Sequence, residues 1–386
     1  MILTMAAILP LSHETTLLFL GQIALLLGVA RLLGEWMRRM DQPAVVGELL
    51  AGLLVGPSVL GQFAPSWYQS VFPAEQQMSD LLSAFSLIGV LTLLIVTGLE
   101  IDLKLIRRRV RTAAAVSLGG LVVPFGFGLV LGYSLPDRFL AAPDQRLVFS
   151  LFMAVIMSIS AIPVIAKVLM DLKAIRRDVG QITLAAAMLD DAVGWILLSV
   201  AAALAARGHV TVADVSYSLA ASVAVMGIGL WLGRSWVNQL LIWVERNSSG
   251  EAPQLTTILF LALAMSILTH GLGLEAMLGA FLAGILVGQS ARLKAQVAHT
   301  LELFTASFFA PIFFASAGLK VNLAALFTPT LLGLALMVVA VATLGKYLGC
   351  YVGGWVGGMS HWERLAVGSG MNPRGAMGVI RICTRC

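Results

Sequence analysis

Asp190 and Asp191 stand side by side in the apolar run Ala185-Ala186-Ala187-Met188-Leu189-Asp190-Asp191-Ala192-Val193-Gly194-Trp195, and Lys346 lies in Thr343-Leu344-Gly345-Lys346-Tyr347-Leu348-Gly349. A charge at the centre of a bilayer costs about 2.5 to 3.5 kcal/mol on insertion scales, so three facing lipid would cost on the order of 8 to 10 kcal/mol. They must face a protein interior or water. Successive helical residues are about 100° apart, so the two aspartates point to different neighbours, and one can pair with a lysine while the other serves. A desolvated carboxylate beside a like charge takes up a proton readily, and it can give that proton up for a small hard cation that prefers oxygen ligands. A lysine–aspartate pair that only ties two helices together is the competing account, but small residues and a hydroxyl would do this at lower cost.

Two proline breaks lie near these charges in the chain. One is Ser158-Ile159-Ser160-Ala161-Ile162-Pro163, and the other is Gly368-Ser369-Gly370-Met371-Asn372-Pro373-Arg374-Gly375. Proline removes a backbone donor and disrupts the preceding turn, which frees carbonyls for hydroxyls or an ion to engage. Ser158, Ser160, Pro163, Asn372 and Pro373 are therefore candidate members of a site where two broken helices cross, with Arg374 placed to neutralise the carbonyl end of a half-helix. Glu48, in Val46-Gly47-Glu48-Leu49, either lines an ion path or bonds to a neighbouring helix. The five histidines are scattered without ligand spacing, so neither a transition-metal site nor a cofactor is expected.

The elements that must hold these residues are membrane helices. Hydrophobic residues make up 59% of the 386, charged residues only 12%, and the mean hydropathy is +0.93, too little polar surface to coat a soluble globule. The net charge of +5 does not indicate nucleic acid, because the basic residues sit in clusters between apolar runs, where anionic headgroups lie. The N-terminal run reads as a retained helix and not as a signal peptide. Three cysteines, Cys350, Cys383 and Cys386, cannot form a disulfide framework.

Runs long enough to cross about 30 Å of hydrocarbon number about twelve: 14–36, 43–61, 82–103, 112–133, 147–170, 179–206, 211–234, 254–271, 273–290, 302–319, 328–357 and 362–382. Loops after odd-numbered spans carry most of the Lys and Arg, among them Arg38, Arg39, Arg107, Arg108, Arg109, Lys167, Lys173, Arg176, Arg292 and Lys294. The positive-inside rule makes those loops cytoplasmic and the N-terminus external.

The chain also repeats itself. Leu50-Ala51-Gly52-Leu53-Leu54-Val55-Gly56-Pro57-Ser58 matches Leu282-Ala283-Gly284-Ile285-Leu286-Val287-Gly288-Gln289-Ser290 at seven of nine positions, and Gly47 falls on Gly279 in the same register. Gly98-Leu99-Glu100-Ile101-Asp102-Leu103 likewise matches Gly318-Leu319-Lys320-Val321-Asn322-Leu323. The matches pair span 2 with span 9 and span 3 with span 10. An odd separation reverses direction, which predicts an inverted-topology repeat, the architecture of secondary transporters with broken helices near the midplane. Extended to the breaks, the repeat equates Pro163 with Pro373. The mate of span 6 would then fall beyond Cys386, so the last helix is expected to be missing from the chain as written.

With Asp190-Asp191, Val46-Gly47-Glu48-Leu49-Leu50-Ala51-Gly52, Phe313-Phe314-Ala315-Ser316-Ala317-Gly318-Leu319 and Asn372-Pro373-Arg374-Gly375-Ala376-Met377, the sequence resembles the monovalent cation:proton antiporter family 2 over nearly its whole length. The resemblance implies an all-α transporter occupying 1–386 as one membrane domain, with interleaved dimerisation and core parts, the core near 82–206 and 302–386. It implies a homodimer whose core moves like an elevator. By position, Asp191 matches the carboxylate that carries cation or proton, Asp190 its neighbour paired with lysine, and Lys346 that lysine. Asp191 and Asp190 would thus bind the transported metal ion, Na+ or K+, and the double aspartate looks more like the sodium branch. A cell membrane, a bacterial inner membrane in particular, is the expected location. A sodium-coupled organic-anion symporter of related fold would need a roomier polar site, and a passive cation channel would need no titrating carboxylate. Motifs of intramembrane hydrolases, such as HExxH or GxSxG, are absent, so no enzyme is expected.

Overall fold

Helix dominates throughout the computed structural model, which describes residues 12–137, 146–207, 227, 229, 233–248, 250–323 and 328–373. No strand occurs among the described residues. Eight helical stretches among them are long and apolar enough to cross a bilayer: His13–Arg39, Ala44–Phe63, Gln76–Leu99, Val110–Ser134, Arg146–Asp171, Ala252–Gly271, Ala295–Leu319 and Pro329–Val356. The expected span at 211–234, the end of the span at 362–382, Arg374, Cys383 and Cys386 lie wholly or mostly outside the described residues.

The chain divides into two units. The first comprises Met1–Gly89 and Ser307–Ala325. It holds α1 (His13–Arg39), α2 (Ala44–Val55), the short α3 (Leu60–Phe63) and α4 (Pro65–Val71), the first part of α5 (Gln76–Leu99) and α15 (Ala310–Leu319). Ser12 caps α1 by accepting from the Thr15 amide. The span expected at 43–61 is found at Ala44–Phe63, but it is interrupted between α2 and α3 at residues 56–59, because Gly56 is extended and Pro57 supplies no amide. Glycines set the spacing of these helices. A Cβ at Gly47 would lie 2.3 Å from the Leu33 carbonyl oxygen, one at Gly52 1.9 Å from that of Ala315, and one at Gly318 2.3 Å from that of Leu49. Only glycine permits such backbone approach, which replaces the hydrophobic driving force that lipid removes.

The second unit comprises Val90–Ala306 and Leu326–Cys386. In one part of it, the end of α5 packs with α12 (Ala252–Gly271) and α13 (Ala276–Gly288) around Leu91, Ile95, Ile258 and Leu282. Its glycines reproduce the first unit's contacts residue for residue. Gly279 meets the Met265 carbonyl as Gly47 meets Leu33, Gly284 meets Ile95 as Gly52 meets Ala315, and Gly98 meets Phe281 as Gly318 meets Leu49. The sequence repeat is therefore a repeat of packing within each unit.

The remainder is a bundle of α7 (Val110–Ser134), α8 (Arg146–Ser158), α9 (Ile162–Asp171), α10 (Asp178–Arg207), α16 (Pro329–Val356) and α17 (His361–Gly370). Between α9 and the site-bearing α10 there is only a tight turn, and helix 233–247 (α11) precedes α12. α14 (Ala295–Phe304) leads through a π-helical turn at Thr305–Phe309 into α15. α7 and α16 pack on reciprocal glycines, a Cβ at either Gly119 or Gly349 falling 2.2 Å from the other's carbonyl oxygen. Lys167, counted with the loop charges in the sequence, is instead buried in α9. Its ammonium donates to Asp171 at 3.0 Å, an i,i+4 pairing that satisfies both charges inside the protein.

Candidate functional site

The site begins with two helix interruptions in the second unit. α8 ends at Ser158, residues 159–161 are non-helical, and α9 restarts with Pro163 in its first turn. α17 ends at Gly370, and Asn372 and Pro373 continue without helix. The interrupted stretches bond to each other. The Ala161 amide donates to the Pro373 carbonyl at 3.1 Å, and the Ser160 hydroxyl lies 3.1 Å from the Met371 carbonyl. Backbone groups freed by the two breaks thus satisfy one another where water is excluded.

Asp190 sits in α10 beside this crossing, with no solvent exposure. Its Oδ1 accepts from the Ser117 hydroxyl of α7 at 2.6 Å, and its Oδ2 accepts from the Lys346 ammonium of α16 at 2.5 Å. The Ser160 hydroxyl is 3.3 Å from Oδ2, so its single proton is shared between Asp190 and Met371. Lys346 also donates to the Ser158 carbonyl at 2.7 Å, which places a cation on the negative end of α8. Gly120 makes room for Cys350, one turn on from this lysine: a Cβ at Gly120 would lie 2.5 Å from Cys350 Sγ. The pair is buried and charged, and such a pair holds only because hydrogen bonds supply what water would.

Asp191 is half-buried on the next side of α10. Gly194, one turn on, lets that face approach the break, since a Cβ there would lie 2.6 Å from Ile159 Cγ1. Asn372 contributes a buried Oδ1 without a hydrogen-bond partner among the described residues. The Ser158 hydroxyl, read as a candidate ligand, donates instead to the Ala154 carbonyl at 2.6 Å, and only its backbone carbonyl joins the site. Glu48 is buried in α2 of the first unit. Arg374 lies outside the described residues. Among the described residues no group of three or more His, Cys, Asp or Glu could hold a metal, whereas the carboxylates, hydroxyls and freed carbonyls suit a hard, weakly held cation passing through as substrate.

Sequence reasoning missed Ser117. Its signal is weak, a single hydroxyl two residues before Gly119-Gly120, and only the packing of α7 against α10 brings it onto Asp190. It also missed Gln181, fully buried near the start of α10. The Gln181 amide donates to the Glu100 and Ile175 carbonyls, each at 2.8 Å, and accepts from the Asp102 amide at 2.8 Å. Beside it, Arg176 pairs with Glu100, at 2.7 Å from Nη2 to Oε1, and this carboxylate raises the guanidinium above its ordinary value.

The sodium/hydrogen exchanger transmembrane family model matches residues 23–382. The chain belongs to the sodium/hydrogen exchanger family. It is 32% identical over 374 residues to the Na(+)/H(+) antiporter NhaS4 of Synechocystis sp., covering 94% of this chain and 88% of that protein. It is 31% identical over 376 residues to the cation/H(+) antiporter 17 of Arabidopsis thaliana, covering 96% of this chain but 44% of that one. The chain thus spans less than half the length of that plant relative. The fold is similar to that of the sodium proton antiporter MjNhaP1 of Methanocaldococcus jannaschii, with a TM-score of 0.65 and 19% identity over 96% of this exchanger and 86% of the other. The exchanger fold, a multi-pass membrane transporter with broken helices meeting in a helical bundle, is what holds Asp190 and Lys346 together.

Proposed function

We propose that this exchanger moves a monovalent cation, sodium in preference to potassium, against protons by alternating access, with Asp191 as the carboxylate that holds either one. The observation that supports the reading is that the two neighbouring acids are held differently, Asp190 sealed from solvent and Asp191 half-buried. Asp190 is engaged by Lys346, Ser117 and Ser160, and it serves as a fixed counter-charge. Asp191 is half-buried one residue along, on the helix whose Gly194 meets Ile159 of the break, and it is the carboxylate left to hold a dehydrated cation together with oxygen ligands of the opened backbone. A carboxylate that must be empty of one ion to take the other couples the two fluxes without a separate gate.

Further parts of the reading follow from the repeat and the charge pattern. The bundle built on α7, α8, α10, α16 and α17 is the moving core, within the segments 82–206 and 302–386. The rest forms the dimerisation part of a homodimer. The basic loops face the cytoplasm and the N-terminus faces out, in a bacterial inner membrane. Sodium is favoured because two adjacent carboxylates suit a small hard cation, and the NhaS4 relative is named for sodium.

Dequenching of a pH-sensitive dye in proteoliposomes tests this. Addition of sodium or lithium to vesicles acidified inside should discharge the pH gradient at lower concentration than potassium does. Equal responses to sodium and potassium would overturn the sodium assignment, and no response to any of the three would overturn exchange itself.

A further inference from the structure

A cavity of about 420 Å³ lies between α11 and the end of α13 in the second unit, away from the crossing. It is lined by Arg234, Ser235, Asn238, Leu286, Gln289 and Ser290. We propose that this cavity binds the phosphodiester of an anionic phospholipid with a hydroxylated headgroup. The proposal is separate from the antiporter reading and shares with it only the placement of the chain in a membrane.

Hydrogen bonding within the cavity fixes which groups remain for a ligand. Ser290 Oγ donates to Asn238 Oδ1 at 2.9 Å, which leaves the Asn238 NH2 as its donor end. Gln289 Nε2 is spent on the Ile101 carbonyl at 3.1 Å, which leaves Gln289 Oε1 as an acceptor. Neighbouring charges are committed: Arg292 to Glu245 at 3.4 Å, and Lys294 to the Gly250 carbonyl at 3.0 Å. Arg234 has no ion pair or hydrogen bond among the described residues. The cavity therefore offers the Arg234 guanidinium, the Ser235 hydroxyl and the Asn238 NH2 as donors, the combination that holds a phosphate oxyanion.

The negative end of α13 also faces this region, but a helix terminus carries only about half a charge against the full charge of Arg234. That end and Gln289 Oε1 are suited to accept from the hydroxyls of a headgroup such as glycerol. Surroundings favour a lipid over a free anion. Trp236 and Trp243 are 77% and 62% exposed and lie seven residues apart, on one face of α11, the disposition of interfacial anchors. Leu286 provides an apolar wall where the acyl-bearing glycerol would enter.

The test is thermal unfolding of the purified full chain in detergent, titrated with short-chain phosphatidylglycerol, the matching phosphatidylcholine, or inorganic phosphate. Phosphatidylglycerol should raise the unfolding temperature saturably. Arg234→Ala should weaken its apparent affinity about tenfold or more, while Arg246→Ala, on the same helix, should not. If Arg234→Ala does not yield folded protein, Arg234→Lys keeps the charge but loses the two-pronged bond, and it should still weaken binding severalfold. Equal stabilisation by phosphatidylcholine, an equal response to phosphate alone, or unchanged affinity in both Arg234 variants would overturn the proposal.

Discussion

Replacing Lys346 and Asp190 singly and together separates a bonded pair from two residues that are merely close. Lys346 gives one bond to Asp190 Oδ2 and one to the Ser158 carbonyl, and both it and Asp190 are sealed from solvent. Removing either partner strands the other, at a cost of about 3 to 5 kcal/mol for an uncompensated buried charge. Lys346→Gln and Asp190→Asn should each destabilise by about that amount. The double variant carries no net charge, and the glutamine can still donate to Ser158. It should therefore lose far less than the sum, leaving a coupling energy of at least about 2 kcal/mol. Unfolding of the four proteins in one detergent, followed by tryptophan fluorescence across a denaturant series, measures all four corners of the cycle. Additivity to within about 0.5 kcal/mol would refute the pairing and reduce Lys346 to an independent helix contact.

Ser117→Ala removes a 2.6 Å bond to a buried carboxylate and should cost about 1.5 to 3 kcal/mol, whereas Ser134→Ala, whose hydroxyl bonds only the Val130 carbonyl of its own helix, should cost under about 1 kcal/mol in the same unfolding assay. Gly284→Val should overpack α13 against the Ile95 carbonyl, 2.3 Å from the new Cβ, and lose at least about 1 to 3 kcal/mol, seen as a lowered unfolding temperature. Gly126→Ala, in α7 with open space around it, should instead stabilise by about 0.5 to 1 kcal/mol. Gln181→Leu strands two carbonyls and an amide and should destabilise on the order of 3 kcal/mol, with faster hydrogen exchange at the Asp102 amide as its local signature.

The parts of this protein legible in its sequence are those whose cost in lipid is high. Ser158-to-Pro163 and Asn372-Pro373 can be read as breaks because proline in an apolar run has few other uses. Lys346 can be read as needing a carboxylate because a lone ammonium there is too expensive. The matched glycines around Gly52 and Gly284 also announce close packing, since a Cβ is excluded by backbone oxygens at both. Hydroxyls are different. Ser86, Ser134, Ser150 and Ser158 each bond the carbonyl four residues back in their own helix, and nothing local distinguishes Ser117 from them. Its bond to Asp190 is decided by how α7 packs on α10, a contact between residues 73 apart in the chain. Lys167 misleads for the same reason. A lysine near a span's end reads as loop charge until Asp171, one turn on, buries it.

Whether one carboxylate serves both ions is tested most directly by uptake of radioactive sodium into proteoliposomes with an imposed pH gradient, acidic inside, comparing the wild type with Asp191→Asn. The wild type should accumulate sodium above its external concentration while the gradient lasts and lose it when a protonophore collapses the gradient. Asp191→Asn, folded by the same unfolding assay, should do neither. Accumulation by Asp191→Asn at the wild-type rate would contradict the assignment, and wild-type sodium entry that ignores the pH gradient would mean a passive channel in place of an exchanger.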